Sequence, residues 1–325
     1  MQASFDKLYY STSYGFCQFL IKGKAMNVTL LFLFSSLAAL SGRVFAKLSS
    51  NIVAGTSRAK YALYFTVNGT VACLFFLLSG GFKLSFNVPT LIYSVLYALI
   101  VTVSLVSNTI IYKLASISDV NIIVSSTGLI GSAFIGYLVF KESIGINTVI
   151  KICIMLVTIV LIFFENKKKT GNDEKKQTGN HFLKIIVFTA LVFVALSNSL
   201  IIKAFSVSEN VTDSNSFFFL TNLILIAGAV TVYIVESVKN HEGFKDSLSL
   251  LSPANLFSLA GNTVFSNIGT LISVLIMAQI PLSLYSPLSS ALGVLIAVAA
   301  SLIFRERLGK LSYVAAILAI CAVII

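Results

Sequence analysis

Apolar runs of about twenty residues recur along nearly the whole chain, and they restrict its possible folds more than any other feature does. A helix of that length crosses about 30 Å of hydrocarbon. The runs are continuous and do not alternate between apolar and polar residues, which excludes a transmembrane β-barrel. Charged residues make up 11% of the chain, whereas soluble domains carry about 25%. The sequence therefore predicts an all-α polytopic membrane protein.

The net charge of +11 does not indicate a nucleic-acid partner. Most basic residues stand at the ends of apolar runs or between them, where the positive-inside rule and anionic lipid headgroups account for them. The four cysteines lie far apart, without a neighbour at metal-binding or redox spacing, and both histidines lie outside the runs. We therefore expect a lipid bilayer as a partner, and no nucleic acid, no metal and no cofactor.

A helical hairpin occurs twice in the sequence. Residues 121–164 contain two apolar stretches separated by a short basic, acidic, polar, aliphatic and glycine turn, and residues 285–325 contain the same arrangement. A duplicated hairpin in an apolar chain indicates an internal repeat. The matched turn residues are Glu142 and Glu306, followed by Gly145 and Gly309.

The pattern predicts ten spans, five in each half. A leader of residues 1–26 precedes the first repeat, residues 27–164, and a polar, lysine-rich linker of residues 165–184 precedes the second repeat, residues 185–325. The predicted spans are Val28–Leu48, Tyr61–Leu78, Thr90–Leu114, Val120–Phe140, Ile144–Phe164, Ile185–Phe205, Phe217–Ser237, Ala254–Ala278, Leu284–Phe304 and Leu308–Ile325.

The two halves share a second feature in their first spans. Each has Ala-Leu-Ser followed at the same distance by a lysine, Lys47 in the first half and Lys203 in the second. Because each half has an odd number of spans, the second half must insert upside down relative to the first. Such inverted repeats surround a site near the middle of the membrane and alternate between inward-open and outward-open shapes. We therefore predict ten transmembrane helices arranged as two inverted five-helix repeats.

At these residues the chain resembles the drug/metabolite transporter superfamily, in its ten-helix EamA-like branch. The resemblance covers about residue 27 to the end of the chain, and Pro287 inside the ninth span belongs to it. It implies a carrier of small metabolites with a central cavity lined by both halves. The fourth span departs from this pattern, with Ile123 where the ninth has Pro287. The first span has no acid, which disfavours the cation and proton exchange of small multidrug members.

Polar side chains inside the third and eighth spans are the candidates for lining that cavity. Tyr97, Ser104 and Asn108 lie within roughly 60° of one another on an ideal helix. The eighth span, which corresponds to the third in the repeat, presents a similar polar stripe. We interpret both stripes as cavity lining, and interhelical hydrogen bonding without a ligand is the alternative. The candidates of the eighth span are Asn262, Ser266 and Asn267.

Further candidates lie in the first and sixth spans. Ser197 and Asn198 lie deep in the sixth span. Arg43 lies near the end of the first span, either as an anchor that reaches the membrane surface or as an anion-binding side chain in the cavity. Lys151 and Lys203 raise the same question. Because no acidic residue lies near the middle of a span, we expect an anionic or zwitterionic substrate rather than a cation.

Other polar residues are assigned structural roles. Asn68 and Asn222 are matching single amides of the second and seventh spans, and we expect them to hold helices together. Glu142 and Glu306 are expected to cap the helix that follows each of them and to close the turn with its glycine.

Several properties stay open at this stage. The leader is either an interfacial segment or upstream sequence with Met26 as the true start. The family resemblance suggests a cytoplasmic amino terminus, whereas the distribution of lysine and arginine favours the opposite orientation. The oligomeric state, monomer or homodimer, and any coupling ion are undetermined.

The sequence thus predicts a secondary transporter, not an enzyme, that moves a small polar organic metabolite across the plasma (inner) membrane by alternating access. The chain has no Gly-rich phosphate loop, so driving by ATP would require another subunit. The alternative is a flippase or accessory subunit for a lipid-linked sugar substrate. A membrane enzyme is disfavoured, because it would need acidic residues or histidines clustered at the span ends. Both histidines of this chain lie outside the apolar runs.

Overall fold

The computed structural model describes residues 28–53, 58–114, 129–170, 181–240, 252–303 and 310–325. The regular secondary structure of these ranges is α-helical throughout, and the helices follow the predicted spans. They are α1 Val28–Val53, α2 Arg58–Ser79, α3 Val88–Leu114, α4 Leu129–Leu138, α5 Ile146–Thr170, α6 His181–Val207, α7 Ser214–Asn240, α8 Pro253–Gln279, α9 Leu282–Ile303 and α10 Lys310–Ile324.

Length and composition make five of these helices long and apolar enough to cross a membrane, which confirms the predicted helical class. The other five contain shorter apolar segments of 10–17 residues. The five long segments are Tyr61–Ser79, Ile146–Phe164, Ile185–Val207, Ser214–Lys239 and Pro253–Gln279.

The two helices that flank the predicted linker, residues 165–184, extend into that range. Helix α5 continues to Thr170, and α6 already begins at His181, which the sequence analysis placed outside the apolar runs. Residues 171–180, the leader and the first part of the predicted fourth span lie outside the described residues.

The helices form two compact units, and each unit draws on both halves of the sequence. Unit 1 comprises Met1–Ala98 and Val207–Leu275, and unit 2 comprises Leu99–Ser206 and Ile276–Ile325. The division by packing therefore differs from the predicted division into sequence repeats.

In unit 1, α2 packs along α7 in the antiparallel direction. At one end of the pair, the Ser79 hydroxyl donates to the Asn215 side-chain oxygen at 2.6 Å. Two to three turns away, Gly69 of α2 lies so close to Ile226 of α7 that a Cβ on the glycine would stand 2.7 Å from the isoleucine side chain. From the first contact to the second, the residue numbers decrease along α2 and increase along α7, so the two helices run in opposite directions.

The same end of unit 1 carries a polar network between the starts of α3 and α7. Asn87 caps α3 by accepting from the Thr90 N–H at 2.9 Å, and the Thr90 hydroxyl oxygen accepts from the Thr212 N–H at 2.8 Å. Asp213 caps α7 by accepting from the N–H and the hydroxyl of Ser216, at 3.0 and 2.6 Å. At each helix start, one amide that the helix itself leaves unsatisfied therefore donates to a side-chain acceptor.

Helices α1 and α8 of unit 1 approach each other through glycines. A Cβ at Gly261 of α8 would stand 2.6–2.8 Å from the aromatic ring of Phe45 on α1. That ring also stacks on Phe265, with centroids 5.7 Å apart. Because an aromatic ring is rigid, the contact requires glycine at position 261.

In unit 2, helices α4, α5, α9 and α10 share a core of buried apolar side chains. Small alanine side chains on α9 and α10 let these helices pack closely against the larger side chains of α4 and α5. The core residues are Leu129, Met155, Ile159, Ala291, Ala319 and Ala322.

The α1–α8 contact gives a first testable prediction. Gly261→Ala forces the new methyl group against the Phe45 ring and should lower the free energy of unfolding by about 1–3 kcal/mol. Gly228→Ala on α7 is the matched control, because a Cβ there meets no atom within 4 Å. Thermal unfolding of the detergent-solubilised protein measures the difference. Equal melting temperatures for the two variants would contradict the packing described here.

Candidate functional site

A cluster of buried polar groups in unit 2 surrounds the start of α9. Only two residues separate the end of α8 at Gln279 from Leu282, where α9 begins. The Leu282 and Ser283 amides donate to the two carboxylate oxygens of Glu142, at 2.8 and 3.0 Å. The next two amides of α9 donate to the carbonyl of Pro281, at 3.1 and 2.9 Å. All four N–H groups that a helix start leaves unsatisfied are therefore bonded.

Lys203 of α6 satisfies the end of α8 in the same cluster. Its ammonium group donates to the carbonyls of Met277 and Ile280, at 2.7 and 2.8 Å, and lies 3.6 Å from a carboxylate oxygen of Glu142. The side chains of Lys203 and Glu142 are only 7% and 10% exposed. A cation at a helix C-terminus and an anion at a helix N-terminus both match the helix dipole. The cluster is therefore electrostatically complementary to both helix ends.

The α4–α5 turn places Glu142 in this cluster. A Cβ at Gly136 would overlap a carboxylate oxygen of Glu142, so the carboxylate fills the space that the glycine leaves. The Glu142 N–H donates to the Gly136 carbonyl at 3.0 Å. Lys141, just before it, has a φ of 52°, in the left-handed region that residues other than glycine adopt at some cost.

The Glu142 carboxylate bonds a different helix from the one that the sequence analysis expected. We expected it to cap α5, the next helix along the chain, but its carboxylate instead bonds α9, about 140 residues away. The carbonyl of Gly145 begins α5 by accepting from the Thr148 and Val149 amides, at 3.0 and 3.2 Å.

In unit 1, three of the predicted site residues lie on α8. The Ser266 hydroxyl donates weakly to the Asn262 side-chain oxygen at 3.4 Å, and its oxygen lies 3.2 Å from the Cβ position at Gly42 of α1. The side-chain nitrogen of Asn267 is buried and has no hydrogen-bond partner. An unbonded buried amide is unusual and calls for an explanation.

Two other side chains of unit 1 have partners within the protein. Asn68 accepts a hydrogen bond from Thr263 of α8, as expected for an amide that holds helices together. The Tyr97 ring packs on Phe217 and Phe218 of α7, with centroids 5.4 and 5.9 Å apart.

Unit 2 contains the candidates of α6 and one from α3. Ser104, Ser197 and Asn198 are half-buried, and the side-chain oxygen of Asn198 is buried without a hydrogen-bond partner. Lys151 of α5 is 7% exposed, and no acidic side chain among the described residues pairs with it.

The remaining predicted residues lie wholly or partly outside the described part of the structure. Arg43 and Asn108 lie on α1 and α3, but their side chains are outside it, as are Glu306 and Gly309. The sequence analysis missed the acceptor role of Asp213, although an aspartate just before a predicted span is an N-cap signal. In the described ranges, no three His, Cys, Asp or Glu side chains are grouped as metal ligands would be.

Comparison with known proteins informs the fold. No family model and no curated protein matches the chain. A solved structure described as "Crystal structure of protein" is similar, with a TM-score of 0.64 and 16% sequence identity over 92% of this chain and 96% of that chain. At this identity the similarity concerns the fold, which the two chains share over nearly their whole lengths.

Removing the cation of the cluster gives the second prediction. Lys203→Met leaves the buried Glu142 carboxylate without its ion pair and two carbonyls without donors, and should cost about 3–5 kcal/mol of unfolding free energy. Lys310→Met on α10 replaces an exposed lysine and should change it by less than about 0.5 kcal/mol. Thermal unfolding of both variants provides the measurement. A melting temperature of the first variant equal to that of the second would show that the ion pair is not structurally important.

Proposed function

We propose that this protein is an integral membrane transporter that moves a small polar organic metabolite by alternating access, built from two inverted five-helix repeats. The plasma (inner) membrane is the proposed location. The carrier assignment follows from the repeat and from the family resemblance, because inverted repeats place a substrate site between two halves that exchange roles.

The observation that carries the proposal is the antiparallel packing of α2 along α7. These helices hold the second position in their respective repeats, so an inverted arrangement requires them to run in opposite directions. The observed contacts fit this requirement: Ser79 bonds Asn215 at one end of the pair, and Gly69 packs against Ile226 further along it. Two repeats with the same orientation in the membrane would place equivalent helices parallel to each other.

Unbonded polar groups support a polar substrate. Asn198 and Asn267, each a predicted cavity residue, have buried side-chain atoms without a hydrogen-bond partner. In apolar surroundings such a group costs free energy that a bound ligand would offset. Lys151, which is only 7% exposed and with which no described carboxylate is paired, favours a substrate with a negative group. An anionic or zwitterionic metabolite with hydrogen-bonding groups fits both features.

A ligand screen is the first test of this proposal. Amino acids, sugars, nucleotides and organic anions are added to the purified protein, and the melting temperature is followed. A ligand that binds only the folded protein stabilises it by about 2.7 kcal/mol when the ligand concentration is about 100 times its Kd. Stabilisation by a soluble anion or zwitterion supports the proposal. Stabilisation by lipid-linked sugars alone would instead favour the flippase.

The third prediction concerns the unbonded amides. Asn198→Ala and Asn267→Ala should each reduce uptake of the identified ligand into proteoliposomes at least about tenfold, because each loses a hydrogen bond to the substrate worth about 1.4 kcal/mol or more. Asn222→Ala is the matched control, since that amide donates to the Phe218 carbonyl of its own helix at 2.8 Å. Protein abundance in the membrane is measured alongside.

The outcome that contradicts this part of the proposal is clear. Uptake by Asn198→Ala and Asn267→Ala equal to that of the unsubstituted protein would remove both residues from the substrate site. Equal losses in all three variants would indicate a general packing defect.

A further inference from the structure

We infer that Glu142 and Lys203 form a latch that holds the α8–α9 connection closed and must release when this end of unit 2 opens. The latch is the Glu142 carboxylate, the Lys203 ammonium and the backbone groups that they bond. The inference rests on the proposed function, because a transporter must open and close such ends in turn.

The latch joins four elements through two side chains. Glu142 belongs to the α4–α5 turn and bonds the first two amides of α9. Lys203 belongs to α6 and bonds two carbonyls at the end of α8. Releasing the carboxylate therefore frees the start of α9 from the α4–α5 turn and breaks the ion pair with Lys203, which keeps its two carbonyl partners at the end of α8.

A charged connection suits a reversible contact better than a permanent one. Replacing a buried ion pair by well-packed apolar side chains is often neutral or stabilising, so stability alone does not explain this pair. Burial removes water from both charges, and opening of this end restores it. The closed and open states can therefore lie close in free energy, as a two-state gate requires.

The geometry of the turn adds a second reason for movement. Lys141 is held at a φ of 52°, a conformation that is unfavourable for a lysine. Sparsely populated backbone conformations persist where the surrounding contacts enforce them. The bonds from Glu142 to α9 and to Gly136 provide that enforcement in the closed state, so their release also lets the turn relax.

Helix polarity sets the orientation of the charges. The carboxylate lies at the positive end of α9 and the ammonium at the negative end of α8. Exchanging the two residues, as Glu142→Lys with Lys203→Glu, keeps an ion pair but places each charge at the wrong helix end. We expect this double variant to leave the latch open, whereas an ordinary ion pair would be restored by the exchange.

Hydrogen exchange of the full-length protein in lipid nanodiscs tests the latch without any substrate. In Glu142→Gln, the peptide that contains Leu282 and Ser283 should exchange about tenfold faster or more, while α5 and α10 exchange as before. Asp213→Asn is the matched control, because it makes the same change from carboxylate to amide at the start of α7 and should leave α9 unchanged. Unchanged exchange at Leu282 and Ser283, or equal acceleration across all of unit 2, would overturn the inference.

A cross-link tests whether transport requires the opening. The Cβ position at Gly136 lies 3.2 Å from the Ser283 nitrogen, so Gly136→Cys with Ser283→Cys places two thiols within reach of each other. The new side chain at position 136 displaces the Glu142 carboxylate, so the disulfide replaces the latch, and Gly136→Cys alone is the control for that displacement. In a chain without other cysteines, oxidation should abolish uptake of the identified ligand, and reduction should restore it. Uptake that continues in the fully cross-linked protein would overturn the latch and leave the transport function standing.

The hydrogen-exchange and cross-linking experiments together distinguish failure of the latch from failure of the proposed function. If no compound is taken up by any form of the protein while Glu142→Gln exchanges faster only at α9, the transport proposal fails. The gate-like opening of this end would then be retained, and its purpose would require a different function.

Discussion

Every backbone amide and carbonyl in apolar surroundings needs a hydrogen-bond partner, and this requirement governs how the helices of this protein begin and end. Within a helix the requirement is met locally, but each end leaves several groups unsatisfied. At some of the described helix ends, side chains from distant parts of the chain bond these groups. Glu142 and Lys203 serve the two ends of the α8–α9 connection, and Thr90 links the start of α3 to the segment before α7.

The consequence is that helix ends also act as connections between helices. Asp213 satisfies the start of its own helix, and its second oxygen accepts from the Ser85 hydroxyl before α3 at 3.3 Å. Glu142 does the same over a longer distance along the chain. Breaking such a contact releases a helix from its neighbour and exposes its first amides, which is why these positions combine structural and proposed functional importance.

The same requirement makes the unbonded amides informative. Asn68, once expected to hold helices together, accepts from Thr263 and needs no further partner to satisfy its oxygen. Asn198 and Asn267 each keep a buried atom without a bond. Among the described residues, the buried side-chain atoms without a hydrogen-bond partner belong to Asn198, Ser237 and Asn267. The two amides are also predicted cavity residues, so a ligand with hydrogen-bonding groups would relieve an existing cost there.

The sequence predicted the helices well because their apolar runs are long and continuous. The predicted second span, Tyr61–Leu78, lies inside the observed Arg58–Ser79, and the predicted eighth span, Ala254–Ala278, inside Pro253–Gln279. Helix ends in polar sequence were less predictable. Helix α5 runs on to Thr170 through three lysines, because polar residues with good helix propensity can extend a helix beyond its apolar part.

The partner of Glu142 could not be predicted from the sequence. A carboxylate beside a turn suggests the nearest helix start, and the bond to α9 depends on tertiary packing that local patterns do not contain. The sequence analysis left open whether Lys203 is an anchor at the membrane surface or an anion-binding side chain. Its counterion and its two carbonyl partners became evident only from the packing of α6 against the α8–α9 connection.

The inverted arrangement is the central claim, and the sidedness of two matched loops tests it most directly. Lys83, between α2 and α3, and Lys239, at the end of α7, stand in equivalent regions of the two proposed repeats, and both are exposed. In a chain freed of its own cysteines, Lys83→Cys and Lys239→Cys are labelled separately with a membrane-impermeant maleimide in sealed, uniformly oriented vesicles. The account predicts that one site reacts in intact vesicles and the other only after permeabilisation. Reaction of both sites from the same side would contradict it.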